Sequence, residues 1–192
     1  MQILKDEIKN RIIEAATEVF FDTGFIQAST RRIIEKAGVS KGNLYNYFQS
    51  KEELFYNIVA PVFNYMRYVL EETFGHGDSE TFNPSEINLL ANKLCELLSD
   101  YRRQFIILLS KSQGTKYEDC KDMLINKLSE HFLKNFKPES DKEKLQILMK
   151  VAAMNTVNAL LEIARNYKDD QWAKSNVELL MKYHLSGITQ FY

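Results

Sequence analysis

Between Lys41 and Lys51 the chain sets hydrogen-bond donors close together: Lys41, Asn43, Asn46, the hydroxyls of Tyr45 and Tyr47, and Lys51, with Gly42 among them. These groups suit recognition. Lysine neutralises phosphate or donates to guanine, asparagine hydrogen-bonds base edges or phosphates, and glycine lets a backbone approach closely. Residues that make and break bonds are not gathered anywhere. His76, His131 and His184 are scattered; no His-x-x-x-His or Glu-rich metal pattern, Gly-rich phosphate loop or G-x-S-x-G elbow occurs; Glu71 and Glu72 point around a helix rather than converging. The sequence therefore predicts no enzyme, no metal site and no cofactor. Cys95 and Cys120 stand apart without Cys-x-x-Cys spacing and read as reduced thiols used as small core residues.

Helices must position those donors, because only 7 Gly and 3 Pro punctuate 192 residues and no Asn-Gly or Asp-Gly hairpin signal appears. Ile8, Ile12, Ala15, Ala16, Val19 and Phe20 repeat at helical spacing from about Lys5 to Thr23, and Gly24 stops that helix. Ser29 or Thr30 caps a short helix that Gly38 ends through a left-handed residue; Ser40 caps a third over Lys41–Phe48. Ser50-Lys51-Glu52-Glu53 is a capping box for a longer fourth, which Pro61 bends without ending. After a loop at Gly75 to Asp78, N-cap signals at Asn83, Thr115 and Ser140 predict helices over 85–100, 102–112, 116–136, 142–167 and 170–189, joined at Gly114, Lys137-Pro138 and Tyr167 to Gln171.

Helical spacing sorts the third helix into two sides. Leu44 and Phe48 lie one turn apart and face the core with Ile33, Ala37 and Val39, so Gly42 and Asn46 point outward, flanked by Asn43 and Tyr45. Charge follows the same division: from Gln27 to Lys51 five cations stand against Glu35, a net +4, which leaves −5 for the rest of a chain of net charge −1. A basic patch on a mildly acidic body is the footprint of a DNA-reading module attached to something else. Lys51 opens the fourth helix, where its charge and the free N–H groups together suit a phosphate.

Gly24-Phe25, Ser29-Thr30-Arg31, Ala37-Gly38-Val39-Ser40-Lys41-Gly42-Asn43-Leu44-Tyr45-Asn46-Tyr47-Phe48 and Ser50-Lys51-Glu52-Glu53-Leu54 resemble the DNA-binding signature of TetR-family regulators over about fifty N-terminal residues. The resemblance implies that the third helix is the recognition helix. It places Thr30, Tyr45, Tyr47 and Lys51 at phosphate-contacting positions and Arg31, Lys41, Gly42 and Asn46 where bases come within reach; Ser29 and Asn43 complete the DNA-facing set. Tyr47, where histidine is frequent, and Arg32, where an acid is common, depart from the pattern. The expected fold is all-α, with a helix-turn-helix domain over 1–50 and a helical ligand-binding and dimerisation domain over 51–192.

The body supplies partial support of its own. Leu145 to Ile163 is apolar on nearly every face, so one face of that helix needs a partner, and the last helix adds Trp172, Val177, Leu179, Leu180, Met181, Tyr183 and Leu185. Lys150, Asn155, Asn158 and Glu162 make the same stretch expensive in lipid, so no membrane span is expected. The resemblance implies a homodimer through the last two helices and a small-molecule inducer. Phe63, Met66, Tyr101, Phe105, Met123, Asn155 and Asn158 are the pocket candidates, with Tyr65, Tyr68 and Met149 beside them. The expectation is a cytoplasmic repressor that binds a palindromic double-stranded operator and is released by its inducer. The alternative is an activator or co-regulator of the same fold that uses the N-terminal module for protein contacts.

Overall fold

The computed structural model describes residues 2–74, 84–134 and 142–188. Every regular element among them is helical: α1 (Gln2–Gln27), α2 (Thr30–Ala37), α3 (Lys41–Tyr47), α4 (Lys51–Phe74), α5 (Pro84–Ser110), α6 (Cys120–Lys134), α7 (Lys142–Arg165) and α8 (Asp170–Ile188). The expected loop at Gly75 to Asp78, the N-caps Asn83 and Ser140, and the Lys137-Pro138 connection lie outside the described residues.

Local hydrogen bonds set most boundaries. Ser29 Oγ accepts from Arg32 N–H, Ser40 Oγ from Asn43 N–H and Ser50 Oγ from Glu53 N–H, at 3.2, 3.1 and 3.0 Å, satisfying orphan donors at three helix starts. The box at Ser50 closes one residue early, with Glu53 Oε2 accepting from Gln49 N–H at 2.6 Å. Gly24, at φ 75° and ψ 170°, interrupts α1, which resumes to Gln27, and α4 continues past Pro61. Tyr101, at φ −127° and ψ 15°, breaks α5 between the two helices expected there.

The helix expected from 116 starts instead at Cys120. Thr115 Oγ1 accepts from Tyr117 N–H at 3.1 Å and donates to the Ser112 carbonyl at 2.7 Å, while Glu118 accepts from Gly114 N–H at 3.0 Å. Those groups fold back on the turn rather than capping a helix, the local competition that threonine offers the backbone. Asp169 caps α8 by accepting from Trp172 N–H at 2.8 Å.

Two compact units result. The first joins the chain through Asn64 with Arg103–Glu118; the second holds Tyr65–Arg102 and the chain from Asp119 onward. In the first, Phe20, Phe25 and Phe55 form the centre, both Phe20 and Phe25 lying 5.1 Å from Phe55, with Ile12, Ile33, Leu44, Phe48, Leu54 and Ile107 buried around them. Each such side chain contributes about 1.5–3 kcal/mol by leaving water. Phe25 N–H donates to the Lys111 carbonyl at 2.9 Å, tying the end of α1 to the segment after α5.

In the second unit α7 packs on α6 and α8. Met149, Ala153, Val157, Leu160, Leu161 and Ala164 are buried on one side of α7. At 3.6 residues per turn, Ile147, Leu148, Val151, Met154 and Asn155 fall on the opposite arc of about 120°, and all are exposed, Ile147 by 68%. The helix is therefore apolar all round but covered on one side only.

Candidate nucleic-acid interface

The turn between α2 and α3 is fixed by Gly38, whose φ of 62° and ψ of 39° place it in the left-handed region. Its N–H caps α2 through the Glu35 carbonyl at 3.3 Å. Arg11, on α1, then donates to the Ala37 carbonyl at 2.6 Å and to the Gly38 carbonyl at 3.0 Å, so a guanidinium neutralises the C-terminal end of α2. Sequence reasoning missed Arg11, whose partners lie 26 and 27 residues away.

Behind α3, Leu44 and Phe48 are buried with Ile33 and Ala37 as expected, and Val39 is half-buried. In front, Lys41, Gly42, Tyr45 and Asn46 are exposed, with Asn43 and Tyr47 half-buried at the edges. Lys41 Nζ lies 5.9 Å from the Tyr45 ring centroid. A methyl group added at Gly42 would meet no atom closer than Ser40 Oγ, at 3.9 Å. Glycine inside a helix is less stable than alanine by about 0.8–1.0 kcal/mol, and nothing within the chain near Gly42 requires its lack of a side chain.

The basic patch is more engaged than its net charge suggests. Arg31 Nε pairs with Glu35 at 2.8 Å, Arg32 with Asp22 at 3.8 Å and Lys36 with Glu18 at 2.5 Å. Such exposed pairs are worth about 0–1 kcal/mol, so a phosphate or base can take over either cation of α2's first turn at little cost. Ser29 is exposed and holds Arg32 N–H as the α2 cap, and Thr30 is half-buried beside it.

Lys51 differs from its expected arrangement. Its ammonium donates to the carbonyls of Phe25 at 2.8 Å and Ala28 at 3.0 Å and rests 4.3 Å from the Phe25 ring centroid. The charge thus closes the carbonyl end of α1 against the start of α4, rather than standing free beside the α4 N–H groups.

The pocket candidates are divided between the two units. Phe63 and Phe105 fall in the first unit, where Phe63 packs on Tyr117 at 5.0 Å and Phe105 is fully buried. Met66, Tyr101, Met123, Asn155 and Asn158 fall in the second. Met66 is buried and Tyr101 packs on Tyr65 at 5.6 Å, but Met123 is 47% exposed. Asn155 lies on the uncovered arc of α7 and Asn158, half-buried, continues it, so both mark that face rather than an interior. Spacing alone could not separate the two sides of a helix that is apolar all round.

Among the described residues no group of three or more His, Cys, Asp or Glu side chains is placed to hold a metal ion. Desolvation, with Lys134 nearby, lowers His131 to about 4, so it is neutral near pH 7. Burial pushes the Cys120 thiol up to about 11, away from the thiolate that nucleophilic chemistry needs.

Residues 12–58 match the family described as bacterial regulatory proteins, tetR family. Over 51 residues, 27% of this chain and 23% of the relative, the sequence is 45% identical to the HTH-type transcriptional activator FasR of Mycolicibacterium smegmatis. The matched region spans less than half the length of that relative and of two Bacillus subtilis regulators, YdgC and YfiR. A TetR-like transcriptional regulator from Rhodococcus sp. RHA1 shares the fold over 94% of this chain and 96% of its own, with a TM-score of 0.63 at 21% identity. NalD, the secondary repressor of the MexAB-OprM multidrug efflux pump in Pseudomonas aeruginosa, does so over 95% of each chain, with a TM-score of 0.58 at 21% identity. A segment that matches the tetR family model thus lies within an all-helical fold like that of solved TetR-like regulators.

Proposed function

We propose that this chain is a cytoplasmic, ligand-responsive transcriptional repressor that binds a palindromic DNA operator as a homodimer and leaves it when a small molecule binds. The observation that carries the DNA half is the α3 surface: Lys41, Gly42, Tyr45 and Asn46 face outward from an anchor of Leu44 and Phe48. Lys41, Tyr45 and Tyr47 meet phosphates, Asn43 and Asn46 reach base edges, and Gly42 lets the helix lie close to the groove. Ser29, Thr30 and Arg31 extend the contact along α2. Lys51 holds the α1–α4 junction, leaving the first N–H groups of α4 to a phosphate. Residues 1–50 do the reading, and residues 51–192 sense and pair.

One short recognition helix gives limited affinity, and two copies about one DNA turn apart double it. The uncovered arc of α7, with Leu179 (62% exposed) and Tyr183 on α8, supplies an apolar surface for a second copy. By length and composition α7 is also apolar enough to cross a membrane. Its uncovered side carries Asn155, Asn158 and the Glu162–Arg165 pair, which suits a protein partner and not hydrocarbon. The chain acts by binding.

Selection of bound fragments from the host's own genomic DNA tests the reading, followed by titration of the selected site at several salt concentrations. Phosphate neutralisation requires log K to fall steeply with log salt. Lys41→Ala, which removes one phosphate contact from each protomer, should weaken all sequences and reduce the slope by about 1.8, whereas Asn46→Ala should relax preference at one base pair of each half-site. A salt-insensitive interaction, or an enriched protein in place of DNA, would refute it. FasR is named an activator and NalD a repressor, so the sign of regulation is read separately, from a reporter behind the selected operator.

A further inference from the structure

The second unit contains a cation that the DNA contact does not use. Lys93, on α5, is 7% exposed, and its Nζ is buried without a hydrogen-bond partner. Glu72 Oε2 faces it at 3.8 Å, too far for a hydrogen bond, and the Tyr68 ring lies beneath it with its centroid at 4.5 Å. Buried charges are normally both paired and hydrogen-bonded. Here three N–H donors are held dry by an ion pair at long range and an aromatic face.

The surroundings are built rather than incidental. One turn before Tyr68, Tyr65 donates its hydroxyl to Glu96 Oε2 at 2.7 Å, with the Lys93 carbonyl as a second acceptor at 3.1 Å. Its ring packs on Tyr101 at 5.6 Å and lies 6.3 Å from Tyr68. Burial, and then Glu96, raise the Tyr65 phenol well above its usual range, so it stays a donor and keeps this arrangement near pH 7. Next to Glu72, Thr73 Oγ1 is a second buried polar atom without a partner.

We propose that Lys93 anchors the carboxylate of a small organic acid whose apolar part lies against Tyr65, Tyr68 and Tyr101. The unmet ammonium can only donate, so the ligand must bring acceptors; a cation would meet a like charge already in the aromatic seat. Glu72 and Glu96 oppose a dianion such as phosphate, whereas a carboxylate carries one charge and forms the short charge-assisted bonds an ammonium makes best. The side chains beside the ammonium reach solvent, Tyr68 being 49% exposed and the Glu72 side chain 46%. This inference rests on the ligand-responsive reading and names the class of inducer.

The test compares the full-length protein with Lys93→Met in thermal melts and in titrations with octanoate and phenylacetate, using octanamide and phenylacetamide as neutral controls. An unfilled anchor is a burden in the empty protein. Lys93→Met should therefore melt at or above the parent, and at least one acid should bind the parent tenfold or more tighter than its amide, a preference lost in the variant. A fall of several degrees or failure of Lys93→Met to fold makes Lys93 structural and overturns the proposal. So do acids that bind neither protein, amides that bind equally, or acid binding unchanged by the substitution. DNA titration of the same samples separates the readings: intact salt-dependent DNA binding with no acid effect sinks the anchor alone, whereas absent DNA binding sinks the regulator.

Discussion

Replacing Lys51 by methionine removes an ammonium while keeping an apolar stem over Phe25. Two charge-assisted hydrogen bonds are lost, to carbonyls 26 and 23 residues earlier in the chain. Bonds to a charged group are each worth about 1.5–3 kcal/mol. Lys51 is only half-buried, so water replaces part of that, and about 2 kcal/mol should be lost. For a chain of this size each kcal/mol shifts Tm by about 2–4 °C, which places the variant about 4–8 °C below the parent. Thermal melts followed by circular dichroism, at 0.1 and about 0.5 M salt, measure it, the second concentration being high enough to screen exposed ion pairs strongly. Because the acceptors are neutral carbonyls, the loss should persist in high salt. At a temperature where both proteins are folded, the salt slope of DNA binding should be unchanged, since the ammonium is turned into the module. A Tm within 1 °C of the parent, or a deficit that disappears in high salt, would refute the assignment.

Two glycines in the reading module should respond in opposite directions. Gly42→Ala, placed in open space on helical backbone, should gain about 0.8–1.0 kcal/mol in denaturant melts yet bind operator more weakly; equal affinity would show that no close approach occurs there. Gly38→Ala should lose about 1–2 kcal/mol from the left-handed conformation alone, and more because its methyl would lie 2.9 Å from Arg11 Nη2. Ile147→Glu together with Leu179→Glu should shift the chain toward monomer in analytical ultracentrifugation while leaving its helical content intact; an unchanged mass would place the pairing surface elsewhere. His131 binds a proton more readily unfolded than folded, at 6.5 against about 4, so stability should fall as pH drops through that window and level off below it. His131→Gln should flatten that part of the pH profile of the melting temperature, and an unaltered profile would remove His131 as its source.

Much of the reading module was legible before any coordinates because its signals are local. Ser29, Ser40 and Ser50 each accept from an N–H three residues on, and Gly38 ends α2 by its own backbone freedom, so neighbouring residues specify α2, α3 and the start of α4. Periodicity likewise put Leu44 and Phe48 behind α3 and Gly42 and Asn46 in front, with Asn43 and Tyr45 beside them. Tertiary packing decided where the charges went: Arg11 and Lys51 reach carbonyls 23 to 27 residues distant, which no spacing rule encodes. It also decided that the Thr115 turn folds back, so that α6 waits until Cys120, and that Asn155 belongs to an uncovered face. Lys93, ordinary in the sequence, became a dry ammonium only when α4 laid Tyr68 and Glu72 against it. Local capping depends on residues a turn apart and survives in one dimension; burial and ion pairing depend on which helices meet, and that is set by the whole chain.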